Sequence, residues 1–167
     1  METITHNLIA VYIQILCFQF FIFPFDILLT IIFAYCSHII VDAFSILTYH
    51  TPDAHKEDKF WLYWHIIIYA LSGLSIVIFI IPFWLSLIFA NLMDIWDWFI
   101  VRPIQKRKRK KNPDTVWENP LYLHGSADWV RKNLLFWLPK WNYKKGGIVI
   151  EIIIILIFSF LIILNYI

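Results

Sequence analysis

Residues 60–101 read FWLYWHIIIYALSGLSIVIFIIPFWLSLIFANLMDIWDWFIV, an apolar run of 42 residues interrupted by one proline, Pro82. As a single helix it would be about 63 Å long at 1.5 Å per residue. That is twice the ~30 Å hydrocarbon core of a bilayer. The run must therefore fold back on itself, and Pro82 divides it into spans at 60–80 and 83–101. The same reading carries outward along the chain. Apolar runs at 7–23 and 27–47 flank Pro24-Phe25-Asp26, a helix stop and turn, and a last run of Ile, Leu and Phe fills 147–167. The whole chain of 167 residues is 60% hydrophobic and 16% charged. Soluble domains run at about 45–50% apolar and about 25% charged. The expected class is an all-α integral membrane protein with about five transmembrane helices, forming a single membrane domain.

Several classes drop out at once. Four glycines and no Gly-rich loop exclude a standard dinucleotide or P-loop fold. Cys17 and Cys36 both lie inside apolar runs, where thiols behave as small hydrophobes, and they form neither a disulfide framework nor a metal-type CxxC pair. The start, METITHN, has no basic segment, and the first apolar run continues past Pro24 into a second. It reads as a retained span, not as a signal peptide.

Two polar segments remain, 48–59 (TYHTPDAHKEDK) and 102–146. The second opens with RPIQKRKRKKNPD, in which Pro103 and Pro113 should break any helix. Further on, Ser126 can cap a short helix that Pro139 ends. Val130, Leu134, Trp137, Leu138 and Trp141 recur at helical spacing with Arg131, Lys132 and Lys140 between them, the pattern of an interfacial helix. All 14 Lys and Arg fall in these two segments or at Lys59 on the edge of one, 12 of them between Arg102 and Lys145. Five spans put both segments on the same side, and the positive-inside rule makes that side cytoplasmic. The N-terminus is then cytoplasmic and the C-terminus outside. Lys108, Arg109, Lys110 and Lys111 become contacts for anionic lipid headgroups. The basic run lacks the interleaved aromatics of a base-stacking platform, so no nucleic-acid partner is expected.

With this topology all six histidines lie in the cytoplasmic half, and four ionisable residues fall well inside spans. His38 and Asp42 are at i, i+4 on one helix face, and Asp94 and Asp97 at i, i+3 on another. An ionisable group in a span costs about 2.5–3.5 kcal/mol even on lenient insertion scales, so such groups turn inward and find partners. Imidazole and carboxylate at similar depth form a ligand set for zinc, manganese or iron. Plainer structural readings stand beside this one. His38 and Asp42 can satisfy each other, Arg102 can satisfy Asp94 and Asp97, and His50, His55 and His65 read as loop or packing residues. His124, followed by Gly125, is a further candidate of open placement.

Ile4-Thr5-His6-Asn7-Leu8, then Ser37-His38-Ile39-Ile40-Val41-Asp42-Ala43-Phe44-Ser45, then Pro52, resembles the YdjM-like membrane-bound metal-dependent hydrolases. That family shows a THS-L motif at the start of one helix, SH-x-x-x-D followed by Thr or Ser on a later helix, and a proline beyond. Met93-Asp94-Ile95-Trp96-Asp97 resembles the family's acidic motif, although here it follows the THS-like segment where the family has it before. The resemblance covers residues 3–52 and, more loosely, 90–98. It implies a metal-dependent hydrolase in which His6, His38 and Asp42 bind the metal. The other HxxxD reading, a lipid phosphatase of the phosphatidic-acid type, fails because position 32 is Ile32 and the only Arg-Pro, Arg102-Pro103, comes after the histidine.

The expected function is a hydrolase acting on a phosphoester, lipid-linked, at the cytoplasmic leaflet. A divalent metal, Zn or Mn, would be held by His6, His38, Asp42, Asp94 and Asp97, with Asp94 and Asp97 also available as general base. Two other readings are a non-enzymatic scaffold that binds anionic lipid, and a proton or metal-ion carrier. The absence of an inverted repeat counts against the carrier.

Overall fold

The computed structural model describes residues 1–51, 57–111 and 121–166, the last without its side chain. It is all-helical. The elements are α1 (Thr3–Phe20), α2 (Phe25–Phe44) continued by a 3-10 turn (Ser45–Leu47), α3 (Lys59–Phe79), α4 (Trp84–Trp96), a π turn (Asp97–Val101), α5 (Arg102–Lys111), α6 (Gly125–Asn133) and α7 (Gly147–Tyr166). Five stretches are long and apolar enough to cross a membrane: Thr3–Phe20, Phe25–Leu47, Lys59–Phe79, Trp84–Lys111 and Gly147–Asn165. The chain is thus an all-α, multi-pass membrane protein.

The order of hydropathy predicts which helix sits inside. α1 has the lowest mean hydropathy of the five, 1.3, and α7 the highest, 3.2. Thr5, His6, Asn7 and Gln14 would each be left without partners in lipid, so α1 takes the centre, where it packs against α2, α3, α4 and α7. There Asn7 donates to Ser75 Oγ at 2.8 Å and accepts from Asn91 Nδ2 at 2.8 Å. Gln14 Oε1 accepts from the Ser86 backbone N–H at 3.0 Å, and Gln14 Nε2 donates to the Pro82 carbonyl at 3.4 Å. Ala10, Ala34 and Ala90, all fully buried, let α1, α2 and α4 approach closely. Ile4, Leu8, Val11, Ile68, Phe83, Leu87 and Ile162 form the apolar core, while Ile66, Val77, Ile152 and Leu156 remain exposed on the outer face, as lipid-facing side chains should.

Three expectations need correction. α1 starts at Thr3, ahead of the apolar run at 7–23, because Thr5, His6 and Asn7 find partners inside the protein. Pro103 does not end the helix. The preceding turn is a π turn in which the Arg102 N–H donates to the Asp97 carbonyl, and this wider winding lets the chain continue helically through Pro103 to Lys111. Pro113 lies outside the described residues. The helix begun near Ser126 stops at Asn133, well short of Pro139, and Ser126 Oγ bonds back to the Leu123 carbonyl. Trp137 and Trp141 consequently leave the helical stripe, although Leu134, Phe136, Trp137 and Trp141 still project from the surface.

The segment after α6 lies across the end of α2. The Trp141 N–H donates to the Ile46 carbonyl at 2.8 Å and the His50 N–H to the Asn142 carbonyl at 3.2 Å. α7 then starts directly beneath the chain that leaves α2. A Cβ built on Gly147 would lie 2.7 Å from Tyr49 N and 2.8 Å from Thr48 C, both backbone atoms that cannot swing aside. Gly147→Ala is therefore expected to lower stability by about 1–3 kcal/mol, read as thermal unfolding in detergent. Gly146→Ala, where the added Cβ meets nothing within 4 Å, should be close to neutral. Equal effects at the two positions would contradict this packing.

Candidate metal centre

The first turns of α1, the last turns of α2 and the π turn after α4 meet at one end of the bundle, with the loop before α6 folded over them. The helical spacing of Thr3–Phe20 directs His6 toward α2, and i, i+4 spacing puts His38 and Asp42 together facing α1. The Asp42 carboxylate lies between three imidazoles. Its Oδ1 is 3.0 Å from His6 Nε2, and its Oδ2 is 3.2 Å from both His38 Nε2 and His124 Nε2. The amino group of Met1 is 3.1 Å from the same Oδ1. His124 Nε2 is also 3.2 Å from Asp94 Oδ1 and 3.4 Å from His38 Nε2. His6 and His38 stack with ring centroids 4.2 Å apart, and both are almost wholly buried.

Asp97 stands behind this group. It is 1% exposed. It accepts from the backbone N–H groups of Leu123 and His124 at 3.1 and 3.0 Å, and its Oδ2 lies 2.6 Å from His124 Nδ1. A carboxylate on Nδ1 fixes the ring orientation and aims Nε2 at the other side chains, the outer-shell arrangement common to metal-bound histidines. Burial pulls the His124 imidazole toward neutrality, but hydrogen bonds to Asp42, Asp94 and Asp97 outweigh it and hold its pKa up at about 10. Protonated His124, which contacts all three carboxylates, offsets their charge together with the Met1 ammonium beside Asp42.

The donor atoms fit a divalent ion. Two sets, His6–His38–Asp42 and His38–Asp94–His124, each place three ligand atoms within 4.8 Å of one another, and His38 belongs to both. Imidazole nitrogens and carboxylate oxygens are the donors that zinc and manganese take. His6 Nδ1 and His38 Nδ1 are buried with no hydrogen-bond partner among the described residues, so His124 is the best oriented of the three rings.

Of the residues singled out in the sequence, His6, His38, Asp42, Asp94 and His124 converge, and Asp97 supports His124 from outside the converging set. Arg102 does not neutralise Asp94 or Asp97. Its guanidinium lies 3.5 Å over the Trp98 ring, because backbone N–H groups and His124 already occupy Asp97. His50 pairs with Glu2 at 3.1 Å, and His65 stacks on Trp61 and bonds to its carbonyl. His55 and Pro52 lie outside the described residues. Lys108, Arg109, Lys110 and Lys111 are exposed on α5 and do not line the cavity beside the cluster. Glu151 is a further buried carboxylate, outside the residues singled out in the sequence. It is buried in α7, accepting from the Glu2 N–H at 3.2 Å and from Thr5 Oγ1. Its signal was present, as the single charge in the most apolar span.

Comparisons with protein families, with curated proteins and with solved structures find no match for this chain.

Asp97 acting through His124 has a measurable consequence. Asp97→Asn should weaken divalent-metal affinity by about 10–100-fold while leaving the number of ions bound per chain unchanged. Loss of a stoichiometric ion at saturating metal would instead make Asp97 a direct ligand.

Proposed function

We propose that the chain is a metal-dependent hydrolase acting on a phosphoester, lipid-linked, at the cytoplasmic leaflet. The observation that carries this reading is the convergence of His38 and Asp42 from α2, Asp94 from α4 and His124 from the loop before α6, with Asp97 behind His124. The partial resemblance of the His6 and His38–Asp42 segments to the YdjM-like hydrolases agrees with it. In this reading His38, His124, Asp42 and Asp94 hold the ion, and His6 fixes the other oxygen of Asp42. A divalent ion, Zn or Mn, would supply Lewis acidity toward a phosphoryl oxygen and toward water.

The remaining roles belong to the protein. Asp94 is the most open carboxylate of the cluster and lines a cavity of about 870 Å³, so it is the group that can accept a proton from an attacking water. Asp97, buried and bonded at both oxygens, serves to position His124. The cluster's enclosure by α1, α2 and the loop before α6 keeps bulk water from the inner face of Asp42. Lys108, Arg109, Lys110 and Lys111 would hold anionic headgroups near the cavity.

The placement in the membrane follows from the basic residues. The end of the bundle bearing the cluster faces the cytoplasm, with the N-terminus inside and the C-terminus outside. A cysteine introduced at Ser126 should react with a membrane-impermeant reagent only from the cytoplasmic side, and one at Asn165 only from the outside. Labelling of both from one side would remove the odd number of crossings on which this orientation depends.

The metal is tested on protein purified in detergent. His38→Ala and Asp42→Asn should each lower zinc or manganese content by elemental analysis. Both should also lower thermal stability in excess metal far more than in chelator, since the ion stabilises only the folded site. Wild-type protein that binds neither ion would defeat the reading. If Asp42→Asn is neutral or stabilising in both conditions, the acids share a proton and no metal.

A further inference from the structure

The cavity above the cluster is lined by charged side chains of both signs, and their pairing is uneven. Its carboxylates are all engaged. Glu2 pairs with His50 at 3.1 Å, Asp128 with Arg131 at 2.9 Å, Asp94 with His124, and Asp42 with three imidazoles. Its cations divide into two kinds. Arg131 is occupied, with Nη1 on Asp128 and Nη2 on the Asp42 carbonyl and Ser45 Oγ. Arg102 and Lys140 line the same cavity and, among the described residues, pair with no carboxylate. Trp98 covers one face of the Arg102 guanidinium and the Tyr122 hydroxyl takes part of its hydrogen bonding, which leaves its remaining in-plane N–H donors for a ligand. Arg102 and Lys140 thus leave positive charge in the same cavity that Asp42, Asp94 and His124 line.

We propose that Arg102 and Lys140 form an anion subsite that binds the phosphate group of the substrate, with the phosphate lying between them and the His/Asp cluster. A planar guanidinium takes two phosphate oxygens, and an ammonium adds a point charge. The cavity volume of about 870 Å³ is within the range of small-molecule sites and accommodates more than a bare phosphate. Trp61, Tyr69 and Tyr143 on its wall offer aromatic contact to the esterified group. The ligand class is a phosphate ester, from a lipid headgroup or a soluble metabolite. Its choice rests on the phosphoester reading above, but the subsite is defined without the metal.

The test uses the full chain with two probes, inorganic phosphate titrated in detergent and phosphatidic acid in phosphatidylcholine nanodiscs. Arg102→Gln and Lys140→Gln should each weaken binding by about ten-fold or more, and the double substitution should abolish it. Lys140→Arg should retain most of the binding, Arg102→Lys should retain only part of it because an ammonium cannot bind two oxygens in plane, and Lys132→Gln, exposed outside the cavity, should leave it unchanged. Binding of inorganic phosphate supports a soluble ester, and binding of phosphatidic acid alone supports a lipid headgroup. If neither probe binds, or binding survives the double substitution in folded protein, the subsite is wrong. Elemental analysis of the same samples separates the two claims. Phosphate binding without any metal retains the subsite and defeats the hydrolase reading. Metal without cation-dependent phosphate binding does the reverse.

Discussion

The Asp42 carboxylate is the constraint on which the rest of this end of the bundle depends. An isolated carboxylate in a span would give up its hydration for nothing and take up a proton. Here it is surrounded by His6 from α1, His38 from α2 and His124 from the loop before α6. Each imidazole belongs to a different segment, so satisfying one anion fixes the relative placement of three pieces of chain. His124 then extends the constraint to Asp94 on α4 and to Asp97 in the π turn. Arg131 adds a further tie, from α6 to the Asp42 backbone carbonyl.

Much of the fold was legible because the bilayer enforces a simple rule on length and polarity. Pro82 in the 42-residue run and Pro24 in the first pair each mark a real reversal, and the five spans follow. What could not be read was local geometry that depends on a partner. Pro103 looks like a helix breaker by chemistry, and only the π turn before it explains why the helix continues. The Trp-bearing stripe of 130–141 fits a helix by periodicity, yet the backbone of Ile46 and His50 captures Trp141 and Asn142 first.

The candidate site was legible in the same uneven way. His38–Asp42 and Asp94–Asp97 announce themselves because i, i+4 and i, i+3 spacing put two ionisable groups on one face inside apolar helices. His124 carries no such signal, since it sits in a polar loop where a histidine is ordinary. Its importance comes only from the fold, which lowers it onto three carboxylates whose one neighbouring base in sequence is Arg102. Arg102, the nearest base in sequence, is drawn away onto Trp98. Sequence distance was therefore a poor guide to which positive group compensates the acids. The depth of the acids was a good guide to the need for one.

The polar groups also have a structural task that an apolar core cannot perform in lipid. Burying Leu8 against Ile68 and Leu87 gains little transfer energy when the alternative surrounding is an acyl chain. Helix placement must come from close packing and directional bonds. Ala10, Ala34 and Ala90 provide the close approach. Asn7 between Ser75 and Asn91, and Gln14 on Ser86 and Pro82, provide direction along the length of α1. Beyond Gln14 toward the α1–α2 turn this network stops, and Phe18, Phe20, Ile22, Phe23 and Phe25 are exposed. Directional bonds thus run from the cluster end of α1 as far as the α3–α4 turn at Pro82, while the clustered ionisable residues stay at the end where α1 begins. The interactions that hold the central helix in register are continuous with those that assemble the His/Asp cluster, so a displacement of α1 along its axis would disturb both together.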